Sequence, residues 1–328
     1  MNSWQEEGNS IKAMSNLAST DKRILGWFGR TIRRPRTALA VTIVVLLAIT
    51  FQALSFTELG VATEVGLDRL PAVIVDLSEI PQPVVDDAVR LANRLYENNV
   101  AKRDAFTEQL LAMYSEARDK DFVVLFNSGG WGWSMADHSP DWQSILAGIM
   151  VKLVDSGYQP IVWNYQRSVD TMRGQVKELL EMFTGYSAKA GDLASRVEFL
   201  TGNIPQTTVI LAGESNGSVI CDSVMAILKD NQRVFSIQTG PPFWHRSLNL
   251  DRRLVLTDNG VFSDSFSEGD FITMARANLR TWFGLAGPDG DYGTILLHVQ
   301  APGHRYSWRY PEVRSRIEDF LNTNLGVQ

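Results

Sequence analysis

A serine hydroxyl becomes a useful nucleophile only when it is lifted clear of its surroundings and a neighbouring base takes its proton. One stretch of this 328-residue chain has the residue types for the first requirement: Gly213-Glu214-Ser215-Asn216-Gly217, between the apolar run Thr208-Val209-Ile210-Leu211-Ala212 and a helix-like stretch beginning at Ser218. On a sharp strand-to-helix turn the backbone on either side of the serine is crowded, so glycine is needed two residues before and two after it. The bare pattern G-x-S-x-G is weak, because at about 7% usage of glycine and of serine a chain of this length shows ~0.1 chance copies. The strand before it and the helix after it give it weight. Ser215 is therefore the candidate nucleophile for acyl transfer.

The second requirement is an imidazole, itself oriented by a carboxylate. Of the four histidines, His298 falls within an apolar run that reads as strand, and His138 and His245 lie in loops after other strands. His304, in Ala301-Pro302-Gly303-His304-Arg305-Tyr306, stands beyond the last strand-like run and before the closing helix, and is the preferred base. For the carboxylate, Asp258 ends Leu254-Val255-Leu256-Thr257 and precedes Asn259-Gly260, a strong turn sequence. At the C-terminal end of a strand it would be held on the same side as Ser215. The competing reading is that Asp258 only initiates that turn through side-chain to backbone hydrogen bonds. Asp264 and Asp270 are rivals, Asp270 having the look of a helix N-cap. The oxyanion of a tetrahedral intermediate would need backbone N–H donors. Asn216, just after the nucleophile, supplies one, and Gly130 or Trp131 in the loop Asn127-Ser128-Gly129-Gly130-Trp131-Gly132-Trp133 supplies another. A phosphate cradle fits this loop poorly, since no Lys-Ser/Thr follows its glycines. The histidines show no metal-binding spacing and Cys221 is the single cysteine, so no metal site is expected. The apolar neighbours of Cys221 predict a buried structural thiol.

The elements that would hold these groups alternate between strand and helix. Strands are predicted near 122–126, 161–163, 208–212, 234–237, 254–256 and 294–299, and helices near 140–155, 170–183, 189–200, 216–229, 270–283 and 311–321. Strands joined through helices imply an α/β domain with a mostly parallel sheet covered on both faces. Before it, residues 83–120 are helical in pattern, with a short β-like run at 72–75.

With elbow, acid and late histidine in the order Ser215, Asp258, His304, the stretch from about 122 to 321 resembles the α/β-hydrolase superfamily. The resemblance implies a serine hydrolase, or less often an acyltransferase, working through a covalent acyl-enzyme with no metal or cofactor. One departure is that the first two strands of the family's sheet are hard to find before Phe122. Aromatic residues gather in the loops after strands, among them Trp131, Trp133, Trp244 and Tyr306. They read equally as walls of an apolar or sugar-stacking substrate pocket or as packing over the top of the sheet. The stretch 166–207 reads as a lid or as ordinary crossover helices.

Residues 37–56 form an uncharged apolar run long enough to cross a bilayer as a helix. Six Lys and Arg residues lie between positions 22 and 36, and acidic residues follow the run, which puts residues 1–36 on the cytoplasmic side as a basic tail. The organisation expected is that tail, a single-pass signal-anchor at 37–56, a linker with N-terminal helices at 57–120, and a catalytic domain at 121–328 outside the cytoplasm. A cleaved signal peptide is the alternative for the apolar run. A net charge of −6 and the lack of a basic stripe speak against a nucleic-acid partner. The partners expected are a small-molecule, lipid or cell-envelope ester substrate and the membrane, reached through one helix; no oligomeric state is implied. The reading from a different class is a non-catalytic module of this fold that binds a partner at the membrane surface.

Overall fold

The strand sequences alternate their side chains between two apolar faces, and both faces are covered. In the computed structural model of the protein the described residues are 79–132, 139–168, 172–183, 185–246, 248–285, 292–295 and 299–327, all within one compact unit, Val65–Gln328. The expected strand at 72–75 and the run at 37–56 lie outside them. Among the described residues no helix is long and apolar enough to cross a membrane.

Five strands form a parallel sheet: β1 (Phe122–Asn127), β2 (Pro160–Asn164), β3 (Thr208–Glu214), β4 (Val234–Thr239) and β5 (Arg253–Leu256), in the order β2-β1-β3-β4-β5. On one face Val123, Leu125, Val209, Leu211 and Val234 pack against four helices. These are α1 (Gln82–Tyr96), α2 (Val100–Ala117), α5 (Ser187–Asn203) and α6 (Asn216–Ile227), which contribute among others Leu91, Leu110, Leu193 and Ile220. On the other face Val124, Phe126, Ile210 and Ile237 meet α3 (Pro140–Asp155) and α9 (Pro311–Leu325) through Trp142, Ile149, Ile317 and Phe320. The two-residue side-chain period of a strand places neighbouring residues on opposite faces, which is why every residue of β1 is buried. Helix α4 (Met172–Phe183) precedes α5, and α5 is built into the core, so that part of 166–207 is crossover rather than lid. Because α1 and α2 share one apolar core with the sheet, the N-terminal helices and the sheet are one body.

The last strand departs from expectation. Instead of a single strand over 294–299 joining the sheet, β6 (Gly293–Ile295) and β7 (Val299–Ala301) pair with each other, antiparallel, as a separate two-stranded ribbon. It packs beside two helices, α7 (Ser265–Glu268) and α8 (Phe271–Trp282), through Ala301, Val299, Phe266 and Met274.

The order β2-β1-β3 reverses direction between β1 and β3: the chain leaves β1 to one side and returns to the other. Loops leaving the C-terminal ends of those two strands must diverge, and the crevice between them is where such sheets bind ligands. Ser215 follows β3 and Gly129 to Trp131 follow β1.

Candidate active site

Ser215 has φ 50° and ψ −115°. Among the described residues only Tyr186 shares a positive φ without being glycine. A non-glycine residue is held there only when its surroundings over-determine it. They do so here: the Ser215 N–H donates to Thr239 O at the end of β4 (2.9 Å), while the Ser218 N–H closes the turn on Ser215 O (2.9 Å). Both elbow glycines sit flush against neighbours. A Cβ on Gly213 would come within 2.9 Å of Cys221 Sγ and of the Ser218 backbone, and one on Gly217 would collide with Asn127 O of β1. The glycines at ±2 are therefore required by packing. Cys221 is buried beneath the elbow, and burial raises its thiol well above the ordinary range, as a structural role demands.

His304 is oriented by Asp264, with His304 Nδ1 2.7 Å from Asp264 Oδ2. The same carboxylate accepts from the Tyr306 hydroxyl (2.8 Å), the Ser267 hydroxyl (2.9 Å) and the N–H groups of Phe266 (2.9 Å) and Ser267 (3.1 Å). The side chain of Asp264 is 0% exposed. Burial pushes its carboxyl up, but the charge and hydrogen bond of His304 together with the other donors outweigh that and hold it below the usual carboxylate range. An ionised carboxylate only accepts, so Nδ1 carries a proton toward Asp264, and in the neutral imidazole this leaves the lone pair on Nε2, the tautomer a general base requires.

Asp258 is not the partner of His304. Its Oδ1 accepts from the Gly260 N–H (3.1 Å), and its Oδ2 pairs with Arg316 of α9 (3.1 Å) at 39% side-chain exposure. The turn reading of this residue is the one the structure supports. The reason lies in the loop. Asn259-Gly260 reverses the chain so that Asp258 and Ser263 form an antiparallel bridge, and the Asp264 N–H donates to Thr257 O (3.1 Å). The excursion closes on itself and returns Asp264, six residues later, to the end of β5. Asp264, not Asp258, is the aspartate that meets His304. Asp270 caps α8, accepting from the Thr273 N–H.

Ser215 and His304 each meet the end of β4. Thr239 accepts from the Ser215 N–H, and the next residue, Gly240 (φ 56°), lies directly against the imidazole: a Cβ there would be 2.6 Å from His304 Cε1 and 3.0 Å from Asp264 Oδ2. His304 also meets the ring of Phe266 edge-on, centroids 5.0 Å apart. Gly303 lets the turn before His304 approach Ser263, since a Cβ there would strike Ser263 O.

The loop after β1 is fixed by side chains that the sequence pattern did not mark. Glu214, the variable residue of the elbow, accepts from the Gly129 N–H (2.9 Å) and the Ser139 hydroxyl (2.7 Å). Gly129 is thereby withdrawn as an oxyanion donor, and Gly130 and Trp131 remain the loop's candidates beside Asn216. Asn216 is the first residue of α6, where an N–H has no intrahelical acceptor. Arg167, its side chain fully buried, donates to Ser128 O and Gly130 O and is paired with buried Glu178 (3.0 Å), which Lys189 also contacts. Ser168 donates to Trp131 O (2.5 Å), and the Asn216 side-chain amide donates to Gly130 O (3.3 Å). Nothing in the spacing of Arg167 or Glu178 announced this task.

Of the aromatic candidates, Tyr306 is buried and supports Asp264, so it is not a pocket wall. Trp244 stacks edge-on with Phe243 (4.9 Å) and Phe266 (5.4 Å), one layer from His304. Trp131 is half-buried in the β1 loop. Trp133, His138 and His298 lie outside the described residues. His245 forms a second carboxylate–imidazole pair, its Nε2 2.6 Å from Asp222 Oδ2, but that carboxylate also faces Arg253 (2.5 Å) and accepts from Gln238 (2.7 Å).

No family model and no curated relative matches the sequence. Among solved structures the chain is similar to Trichoderma reesei cutinase in complex with a C11Y4 phosphonate inhibitor, at 12% identity and a TM-score of 0.37, over 75% of this chain and 94% of that one.

Proposed function

We propose that this protein is a membrane-anchored serine hydrolase of the α/β-hydrolase plan that cleaves an ester, or a related acyl bond, through an acyl-enzyme. The observation that carries the reading is the imidazole of His304, held by buried Asp264 and set against Gly240, one residue from the backbone that pins the strained Ser215. In the first half-reaction the Ser215 hydroxyl adds to the acyl carbon while His304 Nε2 takes its proton. The N–H groups of Asn216 and of Gly130 or Trp131 receive the oxyanion, and the imidazolium then protonates the leaving group. In the second half-reaction water repeats the sequence and frees Ser215. Asp264 stays ionised throughout, orienting the ring and stabilising its charged form. A bound cofactor has no step to perform in this sequence.

For the arrangement along the chain we propose the cytoplasmic tail at 1–36, the anchor at 37–56 and the catalytic body beyond the membrane. The uncharged run and the basic residues before it support that orientation.

A fluorophosphonate probe applied to the full chain in detergent tests the chemistry. Covalent labelling that disappears in Ser215→Ala and in His304→Ala is the expected result. A folded native chain that takes no label would remove the hydrolase reading and leave a binding module.

A further inference from the structure

Helix α8 presents an apolar stripe to solvent. At ~100° per residue, Ile272, Ala275, Leu279, Trp282 and Phe283 fall within a sector of about 100°. Ile272 is 66% exposed, Leu279 48%, Trp282 70% and Phe283 74%, while Met274, Ala277 and Asn278 on the other side are buried. Arg276 and Arg280, both exposed, run along one edge of the stripe. From Phe271 to Leu285 there is no acidic residue, in a chain whose net charge is −6. Local positive charge beside exposed aromatic and aliphatic side chains is the make-up of a helix that lies in a lipid interface: rings and methyls reach the acyl boundary and guanidinium groups meet headgroup phosphates.

We propose that this face of α8 docks on an anionic lipid surface. Charge complementarity selects that occupant, since a second copy of this acidic chain would bring the same two arginines against themselves. Phe271, partly exposed at the start of the helix, gives the docking a purpose. The Phe271 ring lies 4.9 Å from Phe243, Phe243 lies 6.2 Å from Phe266, and Phe266 lies 5.0 Å from His304. Two aromatic rings, Phe243 and Phe266, thus link Phe271 of the docked helix to the imidazole. Residues 57–78, between the apolar run and the first described residue, can extend to ~75 Å, so an anchored chain can lay α8 on the bilayer. Resting on the hydrolase reading, the substrate class that follows is an amphiphilic ester presented from the lipid surface.

The test does not require turnover. A nitroxide is attached at Leu279→Cys, and separately at Val151→Cys on exposed α3 as a control, in the full chain on vesicles of phosphatidylcholine with about 30% phosphatidylglycerol. Buried Cys221 leaves the native background unlabelled. The expected result is a nitroxide at 279 accessible to oxygen and shielded from a polar nickel relaxant, with the one at 151 showing the reverse. A water-exposed nitroxide at 279, or spin–spin broadening that reports a second copy there, overturns the proposal. A second readout links it to chemistry: Ile272→Glu with Leu279→Glu should leave hydrolysis of a water-soluble ester unchanged and lower that of a vesicle-borne ester about tenfold or more. Equal rates on both substrates would overturn the link. Loss of all ester turnover in the native chain, with the nitroxide still lipid-shielded, would count against the hydrolase and leave the docking intact.

Discussion

Replacing Asp264 by asparagine separates the two candidate carboxylates by a change of one atom. Oδ1 of Asp264 receives two backbone N–H groups, from Phe266 and Ser267, whereas Oδ2 receives His304, Tyr306 and a serine hydroxyl. Backbone donors cannot turn away, so the amide introduced by Asp264→Asn must set its oxygen at the Oδ1 position and its NH2 toward His304. The hydroxyls of Tyr306 and Ser267 can rotate, but the imidazole can satisfy an incoming N–H only by accepting at Nδ1, which moves its proton to Nε2. The base is then lost while the geometry survives. An imidazole locked in the wrong tautomer costs a serine triad about 10⁴ in turnover, roughly 5 kcal/mol of barrier. Asp258→Asn, by contrast, weakens a partly exposed pair with Arg316, worth about 0–1 kcal/mol of stability, and should leave turnover within about twofold. The assay is kcat and KM on a water-soluble chromogenic ester, with the second-order rate of fluorophosphonate labelling as a check and the thermal midpoint as a control for folding. Asp264→Asn retaining more than about a tenth of native turnover, or Asp258→Asn losing most of it, would refute the tautomer argument.

Three further expectations follow from the geometry. Gly240→Ala puts a methyl group into His304 at a positive φ, so labelling should fall more than about tenfold for a stability cost of about 1–3 kcal/mol; Gly157→Ala, at φ +87° with open space, should cost only about 1 kcal/mol and leave labelling intact. Arg167→Ala leaves buried Glu178 with Lys189 as its remaining cation and removes one donor from each of two loop carbonyls, and should cost about 3 kcal/mol in urea unfolding and slow labelling as well. The third concerns acid. Because the folded-state Asp264 carboxyl titrates below its unfolded value of about 3.9, its ionised form adds stability that is complete above that pH and lost as pH falls through the lower, folded value. The gap in Tm between the native protein and Asp264→Asn should therefore shrink as pH falls below about pH 4; a gap that widens below about pH 4 would contradict the sign.

Much of the architecture was legible because it is written in local patterns. The apolar runs at β1 to β4 and the glycines around Ser215 are requirements of neighbours a few residues away or one strand over: a buried strand needs side chains on both faces, and the elbow has no room for a Cβ at 213 or 217. His304 was marked by its position before the closing helix, Cys221 by its apolar neighbours, and Asp270 by its cap. The structure alone decided what depended on how the chain returns. Asp258 and Asp264 are both aspartates near the end of β5, and only the bridge between Asp258 and Ser263 determines which of them reaches the imidazole. The same holds for the residues run together as a last strand, where β6 and β7 chose each other over the sheet edge. Arg167 and Glu214 hold the loop after β1 from 39 and 85 residues away in sequence, and Glu178 acts on it through Arg167. Patterns in a sequence report periodicity and crowding within an element. The pairing of charges between elements is fixed by packing, which no local spacing encodes.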